Sequence, residues 1–348
     1  MKRFSFFRVP RLALALCIIN AAVFLLTLPR VCADFYVLNI FPAIENIFAR
    51  VSGILPFSVG EVLLFFILPS WVVFEVVLFL KGRGRFSRVF TVALVLCLSF
   101  QLGCGINYRR TPLIFHLTDY GTTLPVQYGR DDVVRLIGYL SDELESLPDE
   151  QGGYSAAQIR ETAAAILPRT YVPPPKMLIT SPLYSLFNIS GVYSPFTYEA
   201  NVNYMVPENE KPFVIAHELS HLSGFMREDE ANYMAFEICV SSNNTAVRFS
   251  GYVSALAYAL GECYYLSNSE ELFEEYVALV EGLKNRVPAA IAALRERDAF
   301  WSRYDSPIAR FSEIFNNMFL VVNGVEEGVS SYSEVVDLLI HRLNANDV

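Results

Sequence analysis

The sequence is short of charge. Only 18% of its 348 residues are Asp, Glu, Lys or Arg, whereas 53% are hydrophobic and the mean hydropathy is +0.35. That balance excludes an ordinary soluble enzyme and points to membrane segments. No basic patch occurs after residue 110, so nucleic acid is excluded as a partner. None of the six cysteines forms a CxxC pair, which argues against cysteine zinc sites and thioredoxin-type chemistry. Neither an internal repeat nor a low-complexity tract is present. Histidine is scarce, with four in the chain, at 116, 217, 221 and 341.

What charge there is lies unevenly. Residues 1–110 carry twelve Lys/Arg against four Asp/Glu, and the remainder carries fifteen against thirty-two. A basic membrane domain (1–110) and an acidic domain (111–348) follow from that split. Three apolar runs, at about 12–28, 62–80 and 89–106, approach the ~20 residues that cross a bilayer. The first reads as an uncleaved anchor rather than a signal peptide, because two more runs follow it. Lys81–Arg88 holds four positive charges and no negative one, and the N-terminus is basic too. By the positive-inside rule both are cytoplasmic, and three crossings place the second domain outside the cell. Phe35–Val51, between the first two runs, reads as an amphipathic helix lying on the outer surface, or as a loop packed against the spans.

The second domain reads as α+β and mostly helical. Helical spacing covers Asp131–Leu147, Ser155–Leu167 and most of the chain after Pro212. Lys176–Val206 is rich in Ile, Val, Tyr, Thr and Phe and reads as two or three short strands. Phe249–Leu266 is oily, but Gly251, Ser254, Gly261 and Glu262 mark it as a buried helix rather than a fourth span. Whether Cys239 and Cys263 are bonded stays open, since spacing cannot fix cysteine geometry.

One segment concentrates the chemistry. His217-Glu218-Leu219-Ser220-His221 matches H-E-x-x-H. On a helix, residues i and i+4 share a face, so both imidazoles can meet one ion. Pro212 suits the first turn of that helix and Gly224 its stop. Phe213, Val214, Ile215, Ala216, Leu219 and Leu222 make the helix apolar nearly all round, hence buried. Two imidazoles and a carboxylate buried without partners would cost several kcal/mol, a conflict that a metal resolves. Zinc (Zn2+) is the expected cofactor, held by His217, His221 and a third protein ligand.

The third ligand is not a histidine six residues on, because Arg227 stands there. Glu228, Ala231, Asn232, Ala235 and Cys239 form one stripe of the next helix, and its small alanines permit close approach. Glu228 is therefore the preferred ligand, with Asn232 as a partner to a ligating histidine. Glu230 remains the alternative. Glu218 is the expected catalytic residue, the general base that takes a proton from zinc-activated water and returns it to the leaving amine. Arg227, Tyr193, Tyr198 and Tyr204 are candidates for stabilising the oxyanion. Ile189–Pro207 reads as an edge strand lining the cleft, able to pair with an extended peptide; Glu199 in it reads as a surface glutamate, with reach to the site as the alternative. His116 and His341 stand alone and read as surface or packing residues.

"GVYSPFTYEANVN", "HELSHLSGFMREDEANYMAF" and "NGVEEGVSSYSEVVDLLI", together with the N-terminal runs, resemble a bacterial membrane-protein family, the domain of unknown function numbered thirty-eight-ten. The resemblance covers most of the chain and implies a membrane-anchored, zincin-like metallopeptidase of unknown substrate. The resulting expectation is a multi-pass protein of the cell membrane. Its three transmembrane helices precede an extracytoplasmic zincin-like domain that hydrolyses peptide bonds in a peptide or protein substrate. Two alternatives stand beside it: a catalytically silent zincin-like sensor, and a zinc amidase acting on cell-wall peptides.

Overall fold

The computed structural model of the chain describes residues 10–114, 128–148, 152–169, 171–323 and 334–346. His116 and most of the Asn323–Ile340 stretch lie outside the described residues. The chain forms two units, one of Met1–Thr111 with Ser194–Glu199, the other of Pro112–Tyr193 with Ala200–Val348.

Four apolar helices build the first unit: α1 (Arg11–Leu26), α2 (Arg30–Ser52), α3 (Val59–Leu80) and α4 (Phe86–Gly105). Three of them, α2, α3 and α4, are long and apolar enough to cross a membrane, with 23, 22 and 20 residues. The runs expected at 62–80 and 89–106 are thus helices of spanning length. The first expected run is not: α1 has 16 residues, about 24 Å at 1.5 Å per residue, short of the ~30 Å hydrocarbon core. The stretch expected to lie on the surface belongs instead to the long α2. Two of its polar residues, Glu45 and Ser52, are buried, while Ile47, Phe48 and Val51 are exposed.

Proline and polar side chains shape these helices. Residues 36–40 and 63–67 widen into π turns just before Pro42 and Pro69. Such a turn gives room to a ring that would clash with the carbonyl four residues back. The α1–α4 contact buries a polar pair, in which Gln101 Nε2 donates to Asn20 Oδ1 at 2.8 Å and Asn20 Nδ2 donates to the Leu94 carbonyl at 3.1 Å. Arg88 makes a two-pronged ion pair with the buried Glu75, at 2.8 and 3.0 Å. The segment Ser194–Glu199 is built into this unit. Glu199 accepts the amides of Val59 and Gly60 at 3.0 and 2.7 Å and the Thr197 hydroxyl at 2.8 Å. It thereby satisfies donors at the start of α3 that no helical carbonyl reaches. Gly103 leaves room for Pro195, whose carbonyl oxygen would lie 2.3 Å from a Cβ there.

The second unit is helical around a small sheet. Its elements are α5 (Arg130–Glu145), α6 (Ala156–Ile166), β1 (Lys176–Leu178), α7 (Ser181–Leu186), β2 (Gly191–Ser194), β3 (Glu199–Asn203), α8 (Lys211–Leu222), α9 (Glu228–Val240), α10 (Thr245–Leu266), α11 (Glu270–Arg286), α12 (Pro288–Trp301), α13 (Pro307–Val322) and α14 (Val335–Asn346). The strand order is β1–β3–β2, with β1 parallel to β3, so β2 forms an edge. At the centre α8 packs on α9 and α10, flanked by α5, α6 and α14. Ile215, Leu219, Leu222 and Phe236 are fully buried there. The oily α10 is a buried helix, as its glycines and serines imply. Gly251 lets α9 approach it: a Cβ at 251 would lie 2.5 Å from the Cys239 Cβ. Cys239 and Cys263 are both buried free thiols.

Candidate metal centre

The end of α8 positions the site. Pro212 occupies its first turn, where a missing N–H costs nothing. Gly224 stops it at φ +99°, a backbone region that side-chain-bearing residues rarely adopt. The Gly224 amide donates to the His221 carbonyl at 2.9 Å, and the Phe225 amide donates to the Ser220 carbonyl at 3.2 Å. This pair of bonds is a Schellman motif. It folds the chain back so that the Phe225 carbonyl lies 2.7 Å from His221 Nδ1. A carbonyl accepts only, so Nδ1 carries a proton and Nε2 is the nitrogen turned toward Glu228.

Both histidines aim Nε2 at one carboxylate. His217 Nε2 lies 3.3 Å from Glu228 Oε2, and His221 Nε2 lies 3.6 Å from Glu228 Oε1. The rings stand nearly perpendicular, 4.5 Å between centroids. One ligand atom from each residue falls within 4.8 Å of the others. Donors around a tetrahedral zinc, each ~2.0–2.1 Å from it, sit about 3.3 Å apart, so this spacing fits such an ion. The three side chains keep 9–15% of their surface open, which leaves the group reachable from solvent. Glu228 opens α9 beside α8, while Glu230, two residues on, is fully buried and accepts the Leu113 amide at 2.6 Å. The geometry therefore brings Glu228, not Glu230, to the histidines. Ala231 and Ala235 are completely buried, consistent with the close approach of α9 to α8.

Electrostatics bind the group into one unit. Burial opposes charge on His221, but Glu228 and Glu218 lift its pKa to about 9. Burial and the neighbouring His221 lower that of His217. Burial works against ionised Glu228 as well, and the two imidazoles overcome it, so its pKa falls well below the usual range. In this state a proton on His221 does part of what a cation would do. Asn232 stands by His217 and supports its charged form slightly. However, neither Asn232 Nδ2 nor His217 Nδ1 has a hydrogen-bond partner of good geometry.

Glu218 does not join the three. It is 3% exposed, and its Oε2 has no hydrogen-bond partner among the described residues. Burial and Glu228 push its pKa up to about 8, with His221 pulling the other way. Gly191, the first residue of β2, makes its place: a Cβ there would lie 2.4 Å from Glu218 Oε1. The carboxyl group thus rests against the start of the edge strand.

Other sequence candidates go elsewhere. Arg227 is engaged by Asp229 at 3.4 Å and by Glu334 at 3.1 Å. Tyr198 belongs to the first unit, stacked on Phe48 with 5.2 Å between ring centroids, and Glu199 caps α3 there. Tyr193 is buried and Tyr204 is exposed. His341 is not among the converging residues. Two residues were not anticipated. Gly191 is one. Tyr258 is the other: its ring lies 6.3 Å from that of Phe213, one helical turn before His217. Burial, Glu228 and Glu210 raise the Tyr258 pKa against the pull of Arg297, so the phenol keeps its proton. Its only sequence signal was a tyrosine at helical spacing in an otherwise oily helix.

A mostly helical protein with a unit of apolar helices and a second unit holding a His/His/Glu group is the class these observations define. The profile of the family described as protein of unknown function (DUF3810) matches residues 36–340, and the chain belongs to that family. No curated protein and no solved structure matches it.

Proposed function

We propose that this chain is a membrane-anchored, zinc-dependent metallopeptidase whose second unit lies outside the cell. The observation that carries the reading is the convergence of His217, His221 and Glu228, with a separate buried carboxylate, Glu218, next to an edge strand. His217 and His221 would hold zinc through Nε2 and Glu228 through a carboxylate oxygen. Zinc there supplies Lewis acidity, drawing the pKa of water toward ~7 and polarising a carbonyl.

The remaining chemistry belongs to the chain. The Phe225 carbonyl keeps the His221 proton on Nδ1. Glu218 accepts the proton of the attacking water and returns it to the leaving nitrogen. A carboxyl group with a pKa near neutrality suits both halves of that task. Tyr258 donates to the oxygen on which charge develops. A peptide extended along β2 would hydrogen-bond to the strand and pass the Glu218 carboxyl.

The test uses the full-length protein and its Glu218→Gln variant, with zinc content and hydrolysis measured on both. Zinc retained by both, with peptide-library cleavage lost in the variant, supports the peptidase. Hydrolysis confined to cell-wall fragments supports an amidase. Zinc without hydrolysis of either substrate set supports a binding or sensing role. Failure of the wild-type protein to hold zinc sinks the metal site itself.

A further inference from the structure

The helix α13 has a face that the described residues of the second unit leave exposed. Ile308, Phe311, Ile314, Met318 and Val321 are between 47% and 65% exposed. They recur at i, i+3, i+6, i+10 and i+13, one continuous stripe on a 3.6-residue helix. Ala309 and Leu320, on another side of α13, are buried in the protein. Elsewhere in this unit α8 and α9 leave no large apolar side chain exposed. The exposures along the stripe resemble those of Leu64, Phe66, Val73 and Phe74 on α3, at 51–64%.

The composition around the stripe narrows the occupant. Trp301, Arg303 and Tyr304 lie just before α13, with the Arg303 guanidinium 5.2 Å from the Phe300 ring centre. Arg310 and Glu313 project beside the stripe and are exposed. Aromatic rings with a polar edge, next to arginine, suit the boundary between lipid headgroups and acyl chains. With 16 residues and both charges, α13 is not among the helices able to cross a bilayer. A stable protein partner engages about 20–30 residues a side, and five side chains on one helix fall far short of that. They are enough for a helix lying in a membrane surface. The chain's own apolar helices hold the second unit near a bilayer, so a weak surface attachment becomes effective through high local concentration.

We propose that α13 lies in the surface of the lipid bilayer, with Ile308, Phe311, Ile314, Met318 and Val321 sunk below the headgroups. This rests on the reading of the chain as membrane-anchored. The attachment gives the second unit a fixed face toward the membrane and favours substrates presented close to it.

The test places a nitroxide-bearing non-natural amino acid singly at 311, 314 and 318, at 310, 313 and 317 on the polar side next to the stripe, and at 73 within α3. The full-length protein carries each label in phosphatidylcholine nanodiscs. Accessibility to oxygen and to a water-soluble nickel chelate is then measured. Oxygen access several-fold above nickel access at 311, 314 and 318, reversed at 310, 313 and 317, is the expected result. Nickel access at all six α13 positions, with position 73 lipid-embedded, overturns the inference and leaves the anchoring intact. Shielding of 311, 314 and 318 from both reagents means protein covers the stripe, which also overturns it. A water-exposed position 73 sinks the anchoring reading instead. Phe311→Ser combined with Met318→Ser should raise nickel access at 314 several-fold while zinc content stays unchanged. No change at 314 counts against the proposal.

Discussion

Gly224→Ala separates the fold of the metal centre from its mere presence. Gly224 sits at φ +99°, and through it the Phe225 carbonyl reaches His221 Nδ1 at 2.7 Å. An L-residue forced into left-handed space costs roughly 1–2 kcal/mol, so the metal-free protein should lose about that much stability. If α8 instead ends differently to relieve the strain, the carbonyl leaves His221. Loss of such an orienting partner typically weakens metal binding by about 10–100-fold, equivalent to roughly 1.4–2.7 kcal/mol. The stabilisation that saturating zinc confers should shrink by that amount. Chelator competition gives the affinity, and thermal unfolding with and without zinc gives the stability. Gly224→Asn should fall between wild type and Ala, because asparagine tolerates this region better. A Gly224→Ala protein whose His221 Nδ1–H has lost its carbonyl partner, as imidazole nitrogen shifts can show, yet binds zinc with wild-type affinity would refute the role assigned to the Phe225 carbonyl.

Four further outcomes are expected. Glu228→Gln should lower zinc affinity by orders of magnitude while Glu230→Gln keeps it, as equilibrium dialysis can show; the reverse pattern would move the ligand to Glu230. Gly191→Ala puts a methyl group 2.4 Å from Glu218 Oε1; it should cost about 1–3 kcal/mol of stability and most of any hydrolytic rate, with zinc content intact. Glu210 has its pKa raised by burial to about 6, partly offset by Arg297 and Trp301. Folding therefore favours its protonated form: that stability is full below pH 4.5 and lost as pH rises through 6. Glu210→Gln should then stabilise the protein relative to wild type at pH 8, by up to about 2 kcal/mol, and not at pH 4, as denaturant unfolding at the two pH values can show; equal changes at both would refute it. Finally, a periplasmic-type phosphatase fused after residue 348 should be active, and one fused at Gly84 inactive. The opposite pattern would mean that α1 and α2 both cross.

Much of the second unit was legible because its helices obey the soluble pattern, apolar side in. The spacing of His217 and His221 and the small residues of α9 led to Glu228 without coordinates. The first unit inverts that pattern. In α2, Glu45 and Ser52 turn inward and Ile47, Phe48 and Val51 outward, so the polar residues that looked like a wet face are its packed one. Tyr198 and Glu199 were misplaced for a related reason. Their place in the strand-like Ile189–Pro207 stretch suggested the cleft, but Ser194–Glu199 belongs to the other unit. Gly191 meets Glu218, and Tyr258 meets Phe213, only through packing between elements distant in sequence, which periodicity within one element does not encode.

The assignment of Ser194–Glu199 to the unit of apolar helices has a practical consequence. The polypeptide passes between the units three times, so no single cut releases an intact second half. A fragment starting at residue 112 would strip Tyr198 of Phe41 and Phe48 and leave the Glu199 carboxylate without the amides of Val59 and Gly60. The strand that leads into this segment, β2, begins at Gly191, against the Glu218 side chain. An inactive soluble fragment would accordingly be evidence about how the protein was divided, and silent about its chemistry.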